Sequence, residues 1–277
     1  MSKIKYSIFT YQKNTMKRLL FLISGILLMI ASCDNSNNTD ADKKEEQLSE
    51  TNVLTSVNYE MTRIFVKDTN CKSDLKDCAH VLIIYPKFLN KHLSKINMFI
   101  NHRMADLFGY GDVENPDLVN LSSAADSTIA DYQKFKKEFP ESKQVWSFRL
   151  KARVSFVDDE KISILIVSDS YMGGAHGNVN QMFMNFDKKG NLLKLENIVE
   201  DIDLFKEIAE KKFRLKKNIK KGESYSDAGF NFPNDEFALP ANIGLSDTSF
   251  ILYYNQYEIA PYSMGPTQLL IDFDELK

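Results

Sequence analysis

Apolar residues recur along this chain at three spacings. Over 19–30 they run almost unbroken, relieved only by Ser24 and Gly25. Over 90–108, Leu93, Ile96, Phe99, Ile100, Met104, Leu107 and Phe108 return every three or four residues, the mark of an amphipathic helix, and Gly109 and Gly111 end it. A second such helix is expected over 126–139 on Ile129, Tyr132, Phe135 and Phe139, closed by Pro140. A third, basic one covers 203–219 on Phe205, Ile208, Ala209 and Phe213. Residues 117–123 read as loop.

Spacing by two marks the strands. Over 145–156, Phe148, Leu150, Ala152 and Val154 face one way, and the charged turn 158–161 returns the chain into 162–168 as a hairpin. Residues 59–66 and 80–85 are strand-like, as are 181–187 and 192–195 around a tight turn, and a last hairpin pairs 249–254 with 268–273. Hairpins and helices are segregated, without strict strand–helix alternation. The expected fold class is α+β: mostly antiparallel sheets from hairpins, three or four amphipathic helices, and two packed subdomains.

The unbroken apolar run has a different meaning. Lys13, Lys17 and Arg18 precede it and Ile30-Ala31-Ser32-Cys33 follows. A basic flank, an apolar stretch of roughly 7–15 residues and small residues before a cut describe a secretory signal. The stretch is shorter than the ~20 apolar residues of a spanning helix, and Met16-Lys17-Arg18 opens such a signal by itself. The ending resembles the bacterial lipobox, in which a peptidase cuts before a cysteine that already carries diacylglycerol. Residues 1–32 are therefore expected to be removed and Cys33 to be acylated, a permanent membrane anchor. Residues 33–55, polar and charged at their start, are expected to be a disordered tether. The implied location is the cell envelope, facing the periplasm or the cell surface.

Charge narrows the partners. Five of the 35 basic residues and none of the 38 acidic ones lie in 1–32, so the rest, 30 against 38, carries a formal charge of −8. That surplus disfavours nucleic acid, which asks for a basic stripe, and would attract a cationic partner. The exported part is long enough for one large domain or two small packed ones.

Cys71 and Cys78 are the two further cysteines. An even pair in an exported chain reads as a disulfide, here at the polar tip of the hairpin formed by 59–66 and 80–85. Two such ligands, with no matching Cys/His pair nearby, make a poor zinc site. Neither metal nor cofactor is expected.

Two segments carry more identity. Tyr171-Met172-Gly173-Gly174-Ala175-His176-Gly177-Asn178 resembles the Tyr-x-Gly-Gly-Ala-His signature of a family of bacterial envelope proteins. So does Tyr253-Tyr254-Asn255-Gln256-Tyr257-Glu258-Ile259-Ala260-Pro261-Tyr262-Ser263-Met264-Gly265-Pro266, ahead of a final strand. The family joins two domains of unknown function, DUF4163 and DUF3298. The resemblance spans 56–277 and implies a DUF4163-like α+β domain over 56–168 and a DUF3298-like one over 169–277. Similar modules sit beside polysaccharide deacetylase domains and form the extracellular part of anti-sigma factors that sense lysozyme. Neither an appended deacetylase domain nor a cytoplasmic sigma-binding segment is expected here. What the resemblance implies is then a role as an envelope recognition or accessory module.

Each motif admits two readings. Gly173 and Gly174 permit positive φ and close backbone approach. His176 either projects into a cleft or bonds neighbouring backbone, and the plainer expectation is a structural corner with His176 buried and satisfied. Tyr253, Tyr254, Tyr257 and Tyr262 surround Asn255 and Glu258. They form either a platform for sugars or a protein partner, or the packing of a bent loop, and packing is expected for most of them.

The binding candidates are Tyr171, Gly173, Gly174, His176, Asn178, Asn255, Tyr257, Glu258 and Tyr262. A catalyst would use His176 as general base, oriented by Glu258 or Asp169. No nucleophile lies in a recognisable elbow, however, and His80, His92 and His102 are scattered. The leading expectation is a non-catalytic envelope module that binds a cell-wall glycan such as peptidoglycan, or a lysozyme-like protein. A hydrolase or deacetylase of wall polysaccharide using His176 is the alternative, and a structural scaffold lipoprotein a third.

Overall fold

The computed structural model describes residues 57–72, 77–109 and 120–277; the signal, Cys33 and the tether lie outside them. The chain begins with β1 (Tyr59–Lys67) and β2 (His80–Phe88), then α1 (Ser94–Asp106) and α2 (Leu121–Glu138). Strands β3 (Ser147–Val157), β4 (Lys161–Tyr171), β5 (Asn178–Asp187) and the short β6 (Leu192–Leu193) follow. Helix α3 (Ile202–Lys217) leads to β7 (Ile243–Leu245), β8 (Ser249–Tyr254) and β9 (Thr267–Asp272). The fold class is α+β, as the spacing predicts.

Strands β1 to β6 form one sheet in sequence order, and β7 to β9 a second. Every neighbouring pair is antiparallel except β2 and β3, which run parallel. A parallel pair cannot be joined by a tight turn, and here α1 and α2 make the crossover. Their buried residues, Ile96, Ile100, Met104, Leu121, Ala125 and Ile129, share a core with Ile64, Val81, Ile83, Phe148, Leu150 and Ala152 of the first sheet.

Strand β4 explains how the layers stack. Ile162, Ile164 and Ile166 belong to the core under α1 and α2, whereas Leu165 on the other face packs with Phe183 and Tyr253. Both faces of β4 are buried, so its sequence Ile-Ser-Ile-Leu-Ile-Val reads as a nearly continuous apolar run rather than a clean alternation. The second sheet covers the outer face and is itself covered by α3, whose Phe205, Ala209 and Phe213 join Phe230, Phe232, Phe237, Leu252 and Tyr254 in a further core.

Polar and glycine contacts join the sheets. The Ser163 hydroxyl accepts from Leu245 N at 3.2 Å, and Asn185 Nδ2 donates to Ile243 O at 2.8 Å. Gly244 lies flat against the Phe183 ring: a Cβ there would fall 1.9 Å from Phe183 Cδ1.

The disulfide is formed as expected, with Cys71 and Cys78 Cα atoms 5.6 Å apart. One local expectation is corrected. Residues 121–123, expected as loop, are the first turn of α2, because the Asn120 side chain accepts from Ser122 N at 2.9 Å and Ser123 N at 3.3 Å and so caps a helix start five residues earlier. The three-residue β7 has no periodic signal to betray it; pairing with β8 alone makes it a strand.

Candidate functional site

Residues 172–177 connect β4 to β5 at one end of the first sheet, just beyond the Ser170–Asn178 pair. Gly173 and Gly174 have φ of +99° and +104°, a region L side chains rarely enter. A Cβ on Gly173 would also lie 2.5 Å from Gln144 Oε1. The hydroxyl of Tyr171 donates to Gly174 O at 3.2 Å and closes the loop. His176 Nδ1 lies 2.9 Å from Gly177 O. Since a carbonyl only accepts, Nδ1 carries the proton of the neutral ring and Nε2 is left as an acceptor.

The β8–β9 connection comes to meet this loop. It opens with a turn in which Asn255 N donates to Glu258 Oε2 at 2.8 Å and Glu258 N to Asn255 O at 3.2 Å. Partial burial of the Glu258 carboxyl pushes its pKa up, and the bond from Asn255 pulls against that rise. Ile259 is buried and anchors the segment from below. Tyr257, at the top of the turn, holds φ +67°. A non-glycine residue there signals a conformation that the surroundings impose. Tyr262 begins a short 3-10 turn that ends at Met264.

The two loops meet in one aromatic patch. The rings of His176 and Tyr262 stack with centroids 3.8 Å apart at 18°. Tyr257 and Tyr262 centroids are 5.5 Å apart. The Tyr257 hydroxyl donates to His176 Nε2 at 3.2 Å, leaving the phenolic oxygen free to accept from a ligand. Tyr257 is 62% exposed, and His176 is exposed as well. The expectation of a buried, satisfied histidine is therefore corrected. The Gly-Gly bend lifts His176 off the core, and Tyr262 supplies the apolar face it stacks on.

The other candidates divide. Tyr253 and Tyr254 are core residues, and the Tyr254 hydroxyl donates to Ala238 O at 2.7 Å. Tyr171, Gly173 and Gly174 shape the loop. Asn178 is exposed at the start of β5. Asn255 is structural: its Oδ1 accepts from Gln181 N at 2.8 Å and its Nδ2 donates to Gln181 O at 3.0 Å. Asn242, which the sequence does not single out, accepts from Phe183 N and donates to Gln181 O, both at 2.7 Å. These two amides satisfy the stretch of the β5 edge that β6 does not reach. Neither carboxylate proposed to orient His176 does so. Asp169 pairs with Arg149 across β3 and β4, and Glu258 bonds its own turn.

Among the described residues no group of three His, Cys, Asp or Glu is placed to hold a metal. Two clefts lie elsewhere. One, of about 380 Å³, is walled by Phe156, Leu245, Phe250 and Phe273. The other, of about 480 Å³, runs along α3.

Comparison with known proteins bears on both halves. Residues 191–274 match the family model described as protein of unknown function DUF3298. Residues 72–179 match the model described as deacetylase PdaC. No curated protein matches. A crystal structure of a DUF3298 family protein from Pseudomonas aeruginosa PAO1 superposes with a TM-score of 0.55 at 21% identity, covering 80% of this chain and 93% of that one. A DUF3298 family member from Bacteroides fragilis NCTC 9343 gives 0.56 at 21% identity, covering 79% and 92%. The structures share the fold, and the matches support the domain family to which the two motifs point.

Proposed function

We propose that the protein is an exported module, lipid-anchored at Cys33, that recognises a cell-wall glycan or a lysozyme-like protein through the His176–Tyr257–Tyr262 patch without chemistry of its own. The observation that carries this reading is convergence. Two motifs far apart in sequence meet on the surface, where the rings of His176 and Tyr257 are exposed. An exposed aromatic face seats the apolar side of a sugar, and the free lone pairs of Tyr257 Oη accept from its hydroxyls. The negative charge of the exported part favours a cationic protein as the other kind of partner. The DUF3298 and PdaC matches suggest an envelope-associated module.

The PdaC match also favours a second reading, in which His176 acts on wall polysaccharide. Against it, Nε2 is already engaged by Tyr257, and a backbone carbonyl rather than a carboxylate faces Nδ1. Sedimentation with purified peptidoglycan and capture by lysozyme, both at low salt, test the first reading. Binding to at least one is expected, and binding to neither would contradict it. Turnover of acetylated wall glycan that His176→Ala abolishes without unfolding would establish the second. Cys33→Ala is expected to move the protein from membranes to the soluble fraction; continued membrane retention would contradict the anchor.

A further inference from the structure

The C-terminal half of α3 carries a charge opposite to that of the exported chain. Seven of the eleven residues 211–221 are Lys or Arg and none is acidic. The helix dipole favours cations in a last turn, which accounts for Lys216 and Lys217. It does not account for Lys220 and Lys221, which lie beyond the cap residue Asn218. Lys212 is paired with Glu275 at 2.8 Å and Arg214 with Glu210 at 3.1 Å. Lys211, Lys216, Lys220 and Lys221 are exposed and in no ion pair with the described residues.

Leu215 stands in the middle of this cationic surface. At 69% exposure it is the most exposed of the large hydrophobic residues described. It shares the 480 Å³ groove with Lys211, Arg214 and Lys221, and with the carboxylates of Glu207 and Glu210. Glu210 is engaged by the Tyr225 hydroxyl at 2.6 Å and by Arg214, which leaves Glu207 as the free acid on the rim.

We infer that this end of α3 docks on an anionic phospholipid surface. The lysines would face the headgroups and Leu215 would enter the boundary between headgroups and acyl chains. Charge complementarity selects an anionic partner, and the solvent-exposed leucine among the cations selects a lipid over a purely polar polyanion. The surface shares no residue with the His176–Tyr257–Tyr262 patch. Docking would orient the domain on the membrane that the Cys33 anchor gives it.

The test uses the full chain carrying Leu215→Trp in vesicles of brominated phosphatidylcholine, with or without phosphatidylglycerol. The N-terminal anchor holds the chain on both, so only contact by the introduced indole distinguishes them. Quenching of the added emission is expected with phosphatidylglycerol and not without it, and it should disappear at high salt. A basic side chain near such a surface is worth about fivefold in binding. Lys211→Glu combined with Lys221→Glu should therefore lower the docked-to-undocked ratio at least tenfold. Both lysines are exposed and unpaired, so the fold is expected to survive, and circular dichroism checks it.

Quenching that is absent from both vesicle types, or equal in both, or insensitive to salt, would overturn the inference. So would shielding of the indole by a soluble polyphosphate without quenching by lipid, which would assign the surface to a polyanion. Tyr257→Ala should leave the quenching unchanged, so failure here is distinct from failure of the aromatic patch to bind.

Discussion

The hydroxyl of Tyr257 and Nε2 of His176 lie 3.2 Å apart although 81 positions separate them in the chain. The contact is made between two loops, each held by its own backbone. Gly173 and Gly174 turn one loop outward, and the Asn255–Glu258 turn aims the other. Neither ring is needed to fill a core, so the pair can be altered without the fold being lost.

Tyr257 occupies the left-handed region, which costs a non-glycine residue roughly 1–2 kcal/mol. Tyr257→Ala and Tyr257→Gly both delete the ring, but only glycine takes φ +67° without strain. The glycine variant is expected to be the more stable of the two by about 1 kcal/mol, measured by urea denaturation. Equal stability, or a less stable glycine variant, would mean that the backbone at 257 is not held where it is described.

Asn242 and Asn255 both donate to Gln181 O. Either change to alanine leaves one backbone N–H of β5 unpaired, Phe183 N or Gln181 N, and should cost about 2 kcal/mol. Because Gln181 O keeps one donor in each single variant and loses both only together, the double variant should cost more than the sum. Hydrogen exchange should rise at the Phe183 amide in Asn242→Ala and at the Gln181 amide in Asn255→Ala. Strict additivity would argue against a shared clamp.

The sheets approach through Gly244. A methyl there would overlap the Phe183 ring, so Gly244→Ala should destabilise by about 1–3 kcal/mol, and Phe183→Leu in the same chain should recover part of the loss. A neutral Gly244→Ala would contradict the sheet-to-sheet packing.

Glu210 supplies a pH dependence. Burial pushes its pKa up, but the Tyr225 hydroxyl and the Arg214 guanidinium outweigh burial and hold it below the ordinary glutamate value. Its contribution to stability is therefore full above about 4.3, the value in the unfolded chain, and is lost as pH falls through the lower folded value. Glu210→Gln should flatten this acid limb in thermal melts between neutral pH and pH values below the unfolded pKa. An unchanged limb would show that the carboxylate is not held as described.

Much of the fold was legible because spacing and capping are local. The period of three and four placed α1 and α3, alternation placed β3, and the even cysteine pair predicted the disulfide. What was hidden depended on tertiary pairing. Strand β7 exists through β8, the parallel β2–β3 pair depends on where α1 and α2 carry the chain, and Asn242 matters only because β5 has an open edge.

The site shows the same division. The motifs identified the two loops and Gly173 and Gly174 as the bend. Sequence could not distinguish Tyr254, buried under α3, from Tyr257, three residues on and exposed. The difference is the left-handed turn between them. Its one sequence cue was the polar Asn255 and Glu258, which were read as ligand groups and instead bond backbone.

The most direct measurement of the central claim is a binding isotherm for purified peptidoglycan, and in parallel for lysozyme, with the wild-type chain, Tyr257→Phe and Tyr257→Ala. Tyr257→Phe keeps the ring face, and Tyr257→Ala removes it. For whichever partner binds, Tyr257→Ala should weaken affinity about tenfold or more at an unchanged melting temperature, with Tyr257→Phe in between. Wild-type affinity in Tyr257→Ala would contradict the assignment of recognition to this patch.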